Sequence, residues 1–181
     1  MHGYDPQKIV RGIINATLDV FSTMIGLEAT PEPHYEEAAS SGAVDGVVAL
    51  IGLAGNWTGG GMVHCDAGLA RTLYARLLMT DCPGGDGVNE EVLDAVAEIA
   101  NMIVGNVKNE VERDLGPLGM GIPSVVFGRN FTTRHAGSTW IVVPFACEGE
   151  HLLVKICLIK PAHSAGVTAD AAGRVKRLAA V

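Results

Sequence analysis

Asp94, Glu98 and Asn101 place two carboxylates and a carboxamide inside "DAVAEIANMIVG", Asp94 to Gly105, in the longest helix-patterned run of the chain. At about 100° per residue these three fall within about 40° of one line, together with Gly105, Lys108 and Glu112. Val92, Val96, Ile99 and Ile103 line the opposite side, and Leu93, Ala100 and Val104 widen that apolar stripe. A carboxamide can orient a water or a polar group, and a carboxylate beside it can hold a cation. Periodicity alone is equally satisfied by the plain solvated face of an amphipathic helix. Two residues fit a plain face less well. Asn competes for backbone bonds in mid-helix, and Gly105 costs roughly 1 kcal/mol relative to Ala. A missing side chain one turn beyond the amide leaves room for another protein's backbone to approach Asn101, with Glu98 beside it as a fixed negative charge.

Other groups offer weaker chemistry. Gly59, Gly60 and Gly61 would suit a phosphate cradle only between a strand and a helix with a Lys following. They fall in a predicted hairpin, where turn or bulge geometry is the expectation. "GDG" at Gly85 to Gly87 reads as a loop before a helix cap. His64, His135 and His151 sit in or near strands without metal-ligand spacing, and no Ser, His and Asp set assembles around a nucleophile elbow. Cys65, Cys82, Cys147 and Cys157 are scattered without a C-x-x-C pair, which suits reduced thiols rather than disulfides or zinc. Trp57 and Trp140, beside strands, are expected in the core or at an interface.

The row needs a scaffold, and the rest of the chain spells one out. A first helix is expected from about Pro6 to Met24, with Ile9, Ile13, Leu18 and Phe21 on its apolar stripe, ended by "IGLEATPEP". A polar lead, "HYEEAASSGAVDG", precedes a hairpin made of "GVVALIGLAG", the turn "GNWTGGG" and "GMVHCDA". Asp66 is placed to cap the short helix "AGLARTLYARLLM", and "TDCPGGDG" stops it. The long helix runs from Glu90 to about Leu115, capped by Asn89, started by two acidic residues, stapled by Val88 and Leu93, and closed by "LGP". "PSVVFGR" and the pair "STWIVVPFACEGEHLLVKICLIK" complete the strands. The order is one helix plus a hairpin, stated twice. It predicts an α+β domain with two long helices packed on a mostly antiparallel sheet, built from pseudo-duplicated helix and β-hairpin units. Residues 1–160 form that domain, and residues 161–181 a tail or peripheral helix.

The chain has 181 residues, 48% of them hydrophobic, and a formal net charge of -7. That length favours one core. The acidic balance, with no basic cluster beyond "RVKR", argues against nucleic acid or an anionic membrane as partner. No run of about 18 apolar residues and no signal-peptide core occurs, so a cytoplasmic protein is expected.

The pattern D-x-x-x-E-x-x-N at Asp94, Glu98 and Asn101, followed by Pro123 of "PSVVFGR", resembles the signature of the CheC, CheX and FliY chemotaxis phosphatases. The likeness extends through "IVRGIINATLDVFSTMIGLE", "GVVALIGLAG", "GGGMVHCD" and "PSVVFGRNF", roughly residues 5 to 160. The first helix offers Asn15, Thr17, Asp19 and Thr23 but no E-x-x-N, and a single site on the second helix is the CheX arrangement. The resemblance implies hydrolysis of the aspartyl phosphate of a CheY-type response regulator, whose receiver domain brings its own Mg²⁺ and Lys. It implies that Asn101 orients the attacking water, that Glu98 pairs with the receiver's Lys, and that Asp94 and Gly105 support docking. This chain then needs no metal or cofactor of its own, and a sheet-edge homodimer is expected. The alternative is a non-catalytic adaptor like the middle domain of FliM, with the binding surface but no turnover.

Overall fold

The computed structural model describes residues 4–38, 43–82, 87–133 and 139–160, with the short pieces 168–169 and 175–176. His135, Gly85, Asp86 and most of the tail lie outside the described residues. Helix α1 (Pro6–Val20) is capped by the Asp5 side chain accepting from Gln7 N–H and passes into a π-turn (Phe21–Ile25) that left-handed Gly26 ends. After β1 (Thr30–Pro31) and β2 (Tyr35–Glu37) comes the hairpin β3 (Val44–Gly55) and β4 (Thr58–Cys65). Helices α2 (Ala67–Leu77) and α3 (Glu90–Leu115) come next, the first capped by Asp66, the second by Asn89. Strands β5 (Leu118–Met120), β6 (Ser124–Phe131), β7 (Trp140–Cys147) and β8 (Glu150–Ile159) complete the sheet. In the tail, β9 (Thr168–Ala169) and β10 (Val175–Lys176) pair antiparallel.

The expected α+β architecture is what forms. The main sheet has eight strands in the order β1-β7-β8-β4-β3-β5, with β2 also on β7 and β6 also on β3, all antiparallel. The two hairpins meet through β4 and β8. The duplication is interleaved: α3 lies over β3 and β4, and α1 over β7 and β8, so each helix covers the hairpin of the other half. The helices run antiparallel, since Lys8 pairs with Asp114 at 2.8 Å while Gly12 faces Glu110 and Val107. The stripe residues Ile9, Ile13, Val92, Val96, Ile99 and Ile103 fill one core with the sheet's helix-bearing face.

The opposite face of the sheet carries a second cluster, Val48, Met62, Trp140, Val142 and Cys157. Buried Lys155 bonds Glu37 there, tying β2 to β8 across β7. Trp57 belongs to the main core, edge-on to Tyr4 at 5.5 Å between centroids. Among the described residues no helix is long and apolar enough to cross a membrane.

Two sequence expectations change. The polar lead is partly strand: Tyr35–Glu37 pairs with β7, a short edge element flanked by prolines and charges, which hide it from alternation. The glycines Gly59, Gly60 and Gly61 form neither a turn nor a bulge. They sit in regular β4 register between β3 and β8, and the turn is Asn56–Trp57. Their smallness is about space. A Cβ at Gly61 would lie 2.5 Å from Val104 Cγ2, so α3 rests directly on the strand. Substituting Gly61→Ala is expected to destabilise the protein by about 1–3 kcal/mol through overpacking beneath α3. The check is a lower denaturation midpoint at unchanged slope, and an unmoved midpoint would show that Val104 yields freely.

Candidate functional site

Helix α3 is held along its whole length. At its start Asn89 Oδ1 accepts from Val92 N–H at 3.0 Å, and Tyr74 of α2 donates to Glu91 at 2.9 Å, which raises the phenol's pKa. In the middle, Val104 bears on Gly61. At its end Gly116 N–H bonds Glu112 O, and Glu112 Oε1 accepts Leu118 N–H at 2.7 Å. The helix runs beside β3 in the same direction. Val104 stands over the Ile51–Gly61 pair, Gly105 faces Met120, which pairs with Leu53, and Asn56 N–H bonds Pro117 O beyond the helix end.

The predicted row is real, and it divides in two. Asp94 and Glu98 are exposed, Asn101 is half-buried, and none of the three side chains makes a hydrogen bond or ion pair among the described residues. About two and three turns beyond Asn101, the same line is internally paired: Lys108 bonds Glu112 at 2.9 Å while Glu112 also holds Leu118 N–H. Those two bonds, the backbone one first, hold the Glu112 carboxyl below the usual carboxylate range. Lys108 and Glu112 therefore fasten α3 to β5. Asp94, Glu98 and Asn101 are left to meet something else. Three residues apart on a helix, Glu98 and Asn101 have Cβ atoms about 5–6 Å from one another, close enough to address adjacent groups of one partner.

Gly105 lies in the same line, half-buried. A Cβ there would touch Met120 Cε at 3.6 Å, ordinary contact, so the position is half-covered by this chain's own methionine rather than standing as open clearance. Pro123 is half-buried immediately before β6, where Gly121 N–H bonds Gly52 O at 2.9 Å and turns the chain from β5 into β6. Among the α1 candidates, Thr17 is fully buried and Thr23 Oγ1 donates to Asp19 O at 2.6 Å, leaving Asn15 and Asp19 exposed four residues apart.

The other chemistry-bearing groups are occupied elsewhere. His64 Nε2 lies 2.8 Å from Asp45 O, and His151 is 3.5 Å from Glu32. Among the described residues no three His, Cys, Asp or Glu converge as a metal site. Burial pushes the Cys65 thiol up to about 12. A cleft of about 980 Å³ lies on the α1 side of α3 between Asn15, Asp19, Asn106, Asn109 and Arg113. It holds none of the row, and its openness to solvent makes it a depression over the helix pair rather than a substrate pocket. A row on an exposed helix side, away from a cleft, suits a macromolecular partner better than a small molecule.

Residues 47–146 match the family described as chemotaxis phosphatase CheX. Among solved structures, CheX from Vibrio vulnificus is 30% identical, covers 84% of this chain and 99% of its own, and superposes with a TM-score of 0.74. CheX from Desulfovibrio desulfuricans is 25% identical over 84% of this chain and 99% of its own, TM-score 0.70. The CheX of a CheX–CheY–BeF₃–Mg²⁺ complex from Borrelia burgdorferi, 22% identical over 83% of this chain and 97% of its own, shares the fold with a TM-score of 0.69. No curated protein matches.

The pinned helix end has a pH signature. Because Glu112 is held below its ordinary pKa, its contribution is complete above the unfolded value and fades as pH falls through about 4 and below. Glu112→Gln is expected to melt at a lower temperature than the wild type at pH 7, with the two curves converging at acidic pH. A gap that stays constant from pH 7 to pH 3 would contradict this.

Proposed function

The chain belongs to the chemotaxis phosphatase CheX family, and from that premise we propose that it hydrolyses the aspartyl phosphate of a phosphorylated CheY-type response regulator. The observation that carries the site assignment is the unpaired trio Asp94, Glu98 and Asn101 on a helix whose neighbouring polar side chains in the same line are paired. The complex of a similar CheX with CheY supports the choice of partner.

The chemistry asks little of this chain. The receiver supplies the phosphoryl group, its Mg²⁺ and a lysine. Water forms the new P–O bond as the bond to the aspartyl oxygen breaks, the electron pair leaves with the carboxylate, and the water's proton passes to the released phosphate. The leaving group needs no strong acid, so positioning carries the step. Asn101 accepts a hydrogen bond from the water through its carbonyl oxygen and holds it in line with the breaking bond. Glu98 pairs with the receiver's lysine, a charge-assisted contact that fixes the register of the amide. Asp94, one turn back, supports docking.

The test tracks phosphate loss from a phosphorylated receiver. Asn101→Ala is expected to lower turnover at least about a hundred-fold while the complex still forms. Glu98→Ala is expected to weaken binding about ten-fold or more as well. If the wild type leaves the receiver's decay unchanged, the enzyme reading gives way to the adaptor; if Asn101→Ala works at the wild-type rate, the amide is wrongly assigned.

A further inference from the structure

Beyond the row, strand β6 lies beside α3 at the margin of the sheet. Strand β6 pairs only with β3, and its outer edge carries no other strand among the described residues. Register fixes which of its side chains face the helices. Val125 stands opposite Ala49 and Phe127 opposite Val47, and both β3 residues are fully buried in the main core. Val125 packs against that core, whereas Phe127 is 43% exposed.

Its place along α3 comes from the same geometry. Val104 stands over Ile51, and Val47 lies four strand residues back, towards the start of the helix. That separation, about 13 Å, equals about nine helical residues, so Phe127 flanks the helix near Asp94 and Ala95, within a turn of Glu98. An aromatic ring left open at the foot of an unpaired acidic row is a ready anchor for a protein surface. Aromatic side chains, Phe among them, are enriched in the buried cores of protein interfaces.

We propose that Phe127 on β6 is an apolar anchor for the docked receiver domain, extending the contact of the Glu98–Asn101 row onto the sheet edge. This rests on the receiver being the partner. The row's line looks towards this edge of the sheet, since Gly105 and Glu112 face Met120 and Leu118 of β5, and β5 and β6 both pair with β3. The surface so formed recognises a partner that presents a cationic group to Glu98 and, about a helical turn away, an apolar patch to the ring.

The experiment measures binding of a CheY-type receiver held in its phosphorylated form by beryllofluoride and Mg²⁺, alongside turnover of the phosphorylated receiver. Phe127→Ala is expected to raise Kd and KM about ten-fold with kcat at saturation nearly unchanged, and Phe127→Leu to recover most of the affinity. Phe127→Arg, whose stem can still cover apolar surface, guards against a folding defect, with melting curves as control. Unchanged Kd in Phe127→Ala and Phe127→Arg overturns the proposal. So does a fall in kcat at constant KM, or weakened self-association with receiver affinity intact, which would assign the ring to a second copy of this chain. Asn101→Ala separates the two readings: if it retains full turnover, the proposed chemistry fails whatever Phe127 does, and if it binds but does not turn over, only the anchor is in question.

Discussion

The position of Asn101 depends on a side chain that is absent. Gly61 lets Val104 settle on the backbone of β4, where even one methyl would lie 2.5 Å from a Val104 carbon. Helix and sheet usually keep a layer of side chains between them, so this contact brings α3 closer than ordinary packing allows. Gly59 serves the adjoining seam. A Cβ there would fall 2.0 Å from Cys157 O, so β4 meets β8 closely where the two hairpins join. The glycine run is therefore the seat from which the level of the whole row is set.

A seat fixes height, and the ends fix rotation. Tyr74 holds the first turn through Glu91, and Glu112 holds the last through Leu118 N–H, with Lys108 bracing the same carboxylate. A helix held at both ends and pressed on the strand at its middle cannot roll without breaking one of these contacts. That matters for the proposed reaction, in which this chain's share would be to place a water, since displacement by about 1 Å can cost about a hundred-fold. Functional groups on a rigid element hold such tolerances better than groups on loops.

Much of this was legible in the residues. The bounds of α3, its cap at Asn89 and the shared face of Asp94, Glu98 and Asn101 come from local rules, and the helix runs from Glu90 to Leu115 as its pattern predicts. The hidden features depend on partners distant in sequence. Gly59 to Gly61 look like turn residues until Val104 and β8 are brought against them. Strands β1, β2 and β5, at two or three residues each, carry no periodicity of their own and are defined by pairing with β7 and β3. The division of the row was equally unreadable, because the bond from Leu118 to Glu112 forms only once the chain has turned into β5. Phe127 reads as one more apolar residue in a strand, and only the register shows it on the helix-bearing side, where it stays exposed.

The two halves of the fold repeat an architecture without repeating its surface. On α1, Gly12 is set against Glu110 and Val107 of α3, and Thr17 is buried. Thr23 turns back on the carbonyl of Asp19, and the π-turn at the helix end carries Phe21 to Ile25 out of α-helical phase. Asn15 and Asp19 remain outward but lie four residues apart, with the amide preceding the acid, the reverse of the order on α3. An acid that holds a cation and an amide that aims a water must keep both spacing and order if they are to meet one partner's site. Helix α1 keeps neither. The interleaved duplication thus retains two helices for mutual packing and leaves one, the helix seated on glycine, to carry a row that is not internally paired.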